Sequence, residues 1–258
     1  MRLMKRILSA AAVLALSASL LVGCSSGTAS SVPVSASSAA ESTVSSVEET
    51  ASSAVDENEA AAAQLLNDLT GSYQELWPVI LADEYQQTWL DDCTALVGEE
   101  NAEAAFEKLS SMVTGDVYGE DAVEAYANGG GAYFCGFTND LATLTFDGET
   151  STISGTDKDG NVLFSHTYHY IGMEPVHGLY EFKSDDADSG EFTYFFLAPD
   201  TSAETYHIEF RYGSDAEALS QYDAGEYAYW VASGISTDCD QTMIDNCIEL
   251  FCTENLAG

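Results

Sequence analysis

Positive charge is what this chain has least of. Seven Lys and Arg stand against 43 Asp and Glu, a formal net charge of −36. Such a surface repels phosphate backbones and anionic headgroups, which excludes nucleic-acid binding. It draws cations only diffusely, and a soluble, self-repelling coat accounts for the same charge without any site. Histidine is scarce as well: there are four, none before His166. No histidine-rich metal-loading segment therefore precedes the body of the chain. Gly-x-Ser-x-Gly, a phosphate-binding loop and His-Glu-x-x-His are all missing. The common hydrolase, nucleotide and zinc-protease chemistries lack their residues, and an enzyme is not expected. Cys-x-x-Cys is missing too, which removes support for redox catalysis and ribbon-type zinc sites. Beyond the N-terminal segment no apolar run has membrane-spanning length.

The first residues do carry the chain's local basic cluster. Arg2, Lys5 and Arg6 precede an apolar run from Ile7 to Leu21, too short for a comfortable bilayer span. It ends in Leu21-Val22-Gly23-Cys24, which looks like a bacterial lipobox. Residues 1–23 read as a lipoprotein signal peptide and Cys24 as the acylated first mature residue. The expected location is the extracytoplasmic face of a bacterial cell membrane, with lipid as the anchor. Removing the signal leaves Lys108, Lys158, Lys183 and Arg211 as the only basic side chains. Residues 24–59 are rich in Ser, Ala, Val, Thr and Glu and have neither helical nor strand period. They bury too little to offset their ordering entropy and read as a flexible tether with a reach of ~35 Å.

Residues 60–258 suit one domain. Ala60–Leu69 reads as a short helix and Gly71–Trp77 as a first strand ending at Pro78. Tyr85, Trp89, Cys93 and Leu96 recur with helical spacing, as do Phe106, Leu109, Met112 and Val113. Gly98 and Asn101 are expected to separate those two helices, and Asp121–Tyr126 to add a third. Ala132–Phe137 is expected to open a strand series: Leu141–Phe146, Thr150–Thr156, Asn161–Ile171, Leu179–Lys183, Phe192–Leu197 and Glu204–Tyr212. Asp147-Gly148 and Asp159-Gly160 mark hairpins, with type I′ turns as the reason for Asp-Gly. Asp215–Ser220 reads as a turn or two of helix, and Tyr227–Val231 as an aromatic segment packed on the barrel. Thr242–Cys252 reads as a closing amphipathic helix with Asp238 or Asp240 at its N-terminus.

The segments "TDKDGNVLFSHTYHYIG", "GLYEFKSDDADSGEFTYFF" and "AETYHIEFRYG" resemble the ZinT (YodA) family of extracytoplasmic zinc-binding proteins, from about Gly71 to Leu256. The resemblance implies a mainly β, lipocalin-like (calycin) antiparallel β-barrel with a helical insertion after the first strand and a C-terminal helix. It also implies zinc as ligand, a role in metal homeostasis and a metal importer as partner. In that family one strand carries His-x-His and the loop before it a third histidine. His207 matches the last of these, Thr205 stands where the second would be, and the loop from Ala198 to Ser202 has none.

Two readings follow. In one, the site is rebuilt: His207 and Glu209, with Asp200 or one of His166, His169 and His177, hold a divalent ion. In the other, the fold is kept and metal binding is weak or lost, which leaves a non-metal lipocalin-like binding or interaction module at the cell surface; such barrels can enclose a small apolar ligand. His166 and His169 are three apart in one strand and so point to opposite faces; His177 follows Pro175 in a turn. The acidic turn from Ser184 to Glu191 lacks the order of a calcium loop and reads as a solvated hairpin turn. Beyond Cys24 there are five cysteines, an odd number, read as buried thiols or one disulfide.

Overall fold

The computed structural model of the protein describes residues 57–198, 205 and 207–256. The signal segment, Cys24, the tether as far as residue 56, and Asp200 lie outside the described residues. Eight antiparallel strands follow one another around a closed barrel: β1 Gly71–Glu75, β2 Thr143–Asp147, β3 Thr152–Thr156, β4 Val162–Met173, β5 Tyr180–Ser184, β6 Tyr194–Leu197, β7 His207–Gly213 and β8 Ala232–Ser236. Closure comes from β1 against β8, with Tyr73 opposite Ser236 and Glu75 opposite Gly234.

Register carries one set of side chains inward all the way round. Phe146 lies opposite Ile153, Phe182 opposite Phe195, and Phe195 opposite Tyr212. Because alternate residues face alternate sides, Tyr73, Leu144, Phe164, Tyr168, Ile208 and Phe210 join them. All are buried. The ring of Phe195 packs edge-on to Tyr168 at 5.4 Å and parallel to Tyr212 at 5.4 Å. Aromatic rings thus fill the barrel axis, where a wider lipocalin keeps a ligand cavity. A helix over residues 57–68, α1, joins this core through Leu65, Leu66 and Leu69. Among the described residues it is already helical at residue 57, ahead of the expected Ala60.

The opposite parity faces out. On β2–β5 it is polar: Thr145, Ser154, Ser165 and Lys183. On β7 and β8 it is His207, Glu209, Ser233 and Ile235, and there a helical layer covers it. That layer comprises α2 (Leu76–Ile80), α3 (Gln86–Val97), α4 (Glu99–Val113) and α7 (Gln241–Leu256); α5 (Glu120–Ala127) follows α4 in the insertion, and the short α6 (Ala216–Leu219) lies between β7 and β8. A second core forms between the layers from Trp77, Trp89, Leu109, Ile235, Ile248 and Phe251. Trp77 meets Phe251 edge-on at 4.8 Å, and Trp89 Nε1 donates to the Ile80 carbonyl at 2.7 Å. Asp240 caps α7 by accepting from the Met243 N–H. Among the described residues no helix is long and apolar enough to cross a membrane.

Several expectations change. β1 ends at Glu75, since α2 begins at Leu76 and holds Pro78 in its first turn, where a missing N–H costs nothing. Asn101 lies inside α4, and Gly98 alone separates the helices. Ala132–Phe137 makes only isolated bridges at Phe134. The N–H groups at its end find side chains: Phe137 donates to Glu75 Oε1 at 2.6 Å and Thr138 to the Tyr212 hydroxyl at 2.6 Å. Both Asp-Gly hairpins form, but neither is type I′. Gly160 has φ +82° while Asp159 does not share it, and Gly148 has no positive φ. Asp147 instead accepts from the N–H groups of Glu149 and Thr150, and Gly148 is required by contact, because a Cβ there would lie 2.4 Å from Asn67 Cα of α1.

Candidate functional site

The outward face of β7 is the place to start, because the sequence puts its metal candidates there. Thr205, His207, Glu209 and Arg211 do share one side of this strand, but that side is the seam beneath the helical layer. His207 sits opposite Ile235 and Glu209 opposite Ser233. His207 is buried, and its Nδ1 lies 2.7 Å from Thr205 Oγ1. Burial brings its pKa down to about 4, so the imidazole is neutral at physiological pH.

Two hollows meet in this seam, and Glu209 borders both. The smaller is lined by Leu76, Trp77, Ile80, His207, Glu209, Cys247, Leu250 and Phe251. It brings an imidazole, a carboxylate and a thiol to the same walls. Burial first, and the charge of Glu209 next, push the Cys247 thiol up to about 12. The larger is an open cleft enclosing about 790 Å³ of space, solvent included. Trp77, Met112, Val113, Val231 and Phe251 supply its apolar walls; His177, Glu209, Tyr222 and Ser233 supply polar groups.

Three of the cleft's polar atoms are buried without a hydrogen bond: Trp77 Nε1, His177 Nδ1 and the Tyr222 hydroxyl. Each has only a weak or poorly aligned neighbour. Trp77 Nε1 faces the weak sulfur acceptor Cys135. His177 Nδ1 is 3.5 Å from Glu174 Oε2. Tyr222 has the Arg211 guanidinium 4.2 Å from its ring, a donor from which its hydroxyl can accept. These groups keep hydrogen-bonding capacity that a polar group bound in the cleft could take up.

The walls are held stiffly. Arg211, fully buried, donates through Nη1 to the carbonyls of Leu219 and Gln221, and through Nη2 to those of Gln221 and Tyr227. This pins the segment that carries Tyr222. The His177 ring packs at a tilt of 43° against Tyr222, with ring centroids 3.8 Å apart. Glu174, fully buried, accepts from the N–H groups of Val176 and His177 at 2.9 and 2.6 Å. Burial alone would raise its carboxyl pKa; hydrogen bonds from His177 and Val176 outweigh burial and hold it below the ordinary range.

The other candidates are not in the seam. His166 is buried on the inward side of β4 and its Nδ1 lies 2.9 Å from Asp186 Oδ2. His169 is half exposed on the outward side, 3.7 Å from Asp185. The acidic turn thus lies against β4 through these two histidines and against β5 through Lys183, whose Nζ is 3.4 Å from Asp185 Oδ1. Asp200 is outside the described residues. Among the described residues no group of three or more His, Cys, Asp or Glu side chains is placed to hold a metal ion. His207 and Glu209 are thus two donors, short of the four ligands of a closed zinc site. Reading the sequence missed Trp77, Glu174 and Tyr222 as site residues. They come from three distant segments, and only barrel closure and helix docking bring them together.

The chain matches no protein-family model, and no curated protein is significantly similar in sequence. Its structure is similar to the Zn(II)-bound ZinT-like domain of Streptococcus pneumoniae AdcA, with TM-score 0.45 and 16% identity over 71% of this chain and 89% of that one. Against Zn(II)-bound AdcA itself, from the same organism, the TM-score is 0.43 and identity 14%, over 72% of this chain and 35% of that one.

Proposed function

We propose that this chain is a non-catalytic binding protein, held by acylated Cys24 on the extracytoplasmic face of a bacterial membrane, whose ligand occupies the seam between β7–β8 and the helices. The observation that carries this reading is the cleft itself, with apolar walls and three buried polar groups that lack a well-formed hydrogen bond. The ligand class that fits is a small molecule with an apolar body and a polar group that accepts from Trp77 and Tyr222. The neutral aromatic probe N-phenyl-1-naphthylamine tests it. The protein is expected to bind and enhance its fluorescence, and Met112→Trp, which fills the cleft, to weaken binding tenfold or more, about 1.4 kcal/mol. Equal binding by both proteins would sink the reading.

A second reading places a divalent cation, zinc, at His207 and Glu209, delivered to or from a metal importer as part of metal homeostasis. What favours it is that burial keeps His207 neutral, the form that ligates, with a carboxylate two residues along on the same strand face. On EDTA-treated protein, zinc calorimetry should show at least tenfold weaker binding for His207→Ala and tighter binding for Thr205→His. Salt-sensitive binding indifferent to both substitutions would mean only ions gathered by an acidic surface. The anchor has its own check: Cys24→Ala should release the protein from membranes or leave it unprocessed. A processed Cys24→Ala protein that still fractionates with membranes would exclude the lipid anchor.

A further inference from the structure

The five described cysteines are thiols, and four are buried. One pair stands apart. Cys93 Sγ on α3 and Cys252 Sγ on α7 are 3.9 Å apart, in van der Waals contact. Both residues are fully buried. The helices that carry them are locked together one turn away, where the Trp89 ring meets Phe251 edge-on at 6.0 Å. Trp89 precedes Cys93 by one helical turn and Phe251 adjoins Cys252, so the approach of the two sulfurs is set by packing.

We infer that Cys93 and Cys252 form a disulfide that staples α3 to α7. A bond needs the sulfurs at about 2.05 Å. The two sulfurs must therefore close by about 2 Å between them. The step is thiol–disulfide exchange with a low-molecular-weight or protein disulfide as oxidant. The thiolate of one cysteine attacks a donor sulfur, forming a mixed disulfide and releasing one donor thiolate. The other cysteine then attacks the protein sulfur of that mixed disulfide and releases the second. The protein loses two electrons and two protons, and the donor becomes two thiols. Burial raises both thiol pKa values in the folded state, with Asp92 adding to it. Thiolate is therefore scarce once the helices have docked, so exchange belongs to the folding chain, before the second core closes.

The test is refolding of the full chain in a reduced and oxidised glutathione buffer, then alkylation in denaturant and peptide mapping by mass spectrometry. The expected result is one cross-linked peptide joining Cys93 to Cys252, with Cys135, Cys239 and Cys247 alkylated. Oxidised wild type should also melt several degrees above its reduced form, and Cys252→Ala should lose that difference. The mapping needs only wild type, so a variant that misfolds leaves the test intact. Alkylation of both Cys93 and Cys252 after oxidation, or a dominant cross-link between other cysteines, would overturn the inference.

Discussion

His207 is neutral in the fold and easily charged once the fold opens. Its pKa falls from 6.5 to about 4 on burial. A proton therefore binds the unfolded chain more readily than the folded one as pH drops through this window. The stability that depends on neutral His207 is full above about pH 6.5 and fades toward about pH 4. Two and a half units at 1.36 kcal/mol each give about 3 kcal/mol. Urea midpoints of EDTA-treated protein at pH 7 and pH 4.5 should differ by much of this. In His207→Gln most of that contribution should vanish; an unchanged pH response would mean that other groups drive it. Arg211 is the other residue whose identity matters more than its size. It donates to the carbonyls of Leu219, Gln221 and Tyr227. Arg211→Met preserves bulk and strands those carbonyls, each at ~1–3 kcal/mol. A loss of at least about 3 kcal/mol in urea unfolding is expected, together with weaker probe binding because Tyr222 loses its anchor. A loss under about 1 kcal/mol would show that water replaces the guanidinium.

Among elements, α1 is the one most open to a single-residue test. Its Asn67 backbone rests on Gly148, and the Gly148 N–H donates to Thr70 Oγ1 at 3.0 Å. Gly148→Ala should push α1 off the β2–β3 turn and cost ~1–3 kcal/mol, the range for overpacking. Limited proteolysis should then cleave within residues 57–70 first; wild-type resistance there would mean that the turn yields instead. The same contact shows what sequence could and could not tell. Asp147-Gly148 located the hairpin correctly, yet the glycine serves a helix about 80 residues earlier, which no local rule contains. Alternating runs placed β2 to β7 within a few residues. β8, "ASGIS", lacks bulky alternation and went unread. It is a strand because β7 and β1 offer it ladders on both sides, and because Gly234 leaves room for Ile208, whose Cγ1 would lie 3.1 Å from an added Cβ. The shared face of Thr205, His207 and Glu209 was legible from the period of two. That this face looks out beneath helices, and that Trp77 and Tyr222 complete its cleft, was not, because tertiary docking decides both.

Across the whole molecule like charges repel, since 43 acids meet seven bases in the chain. Screening shortens the Debye length from roughly 30 Å at 0.01 M salt to 10 Å at 0.1 M. The melting temperature should therefore rise by several degrees over that range with sodium chloride. A fall would mean that the few ion pairs, such as Lys183 with Asp185, outweigh the repulsion. Closure has a further consequence, for the order in which the chain can be made. Gly71–Glu75 finds one of its two neighbours only in Ala232–Ser236, so no shorter N-terminal product can complete the cylinder. Pairing across most of the sequence is slow to form, and here it waits for the last strand to leave the ribosome.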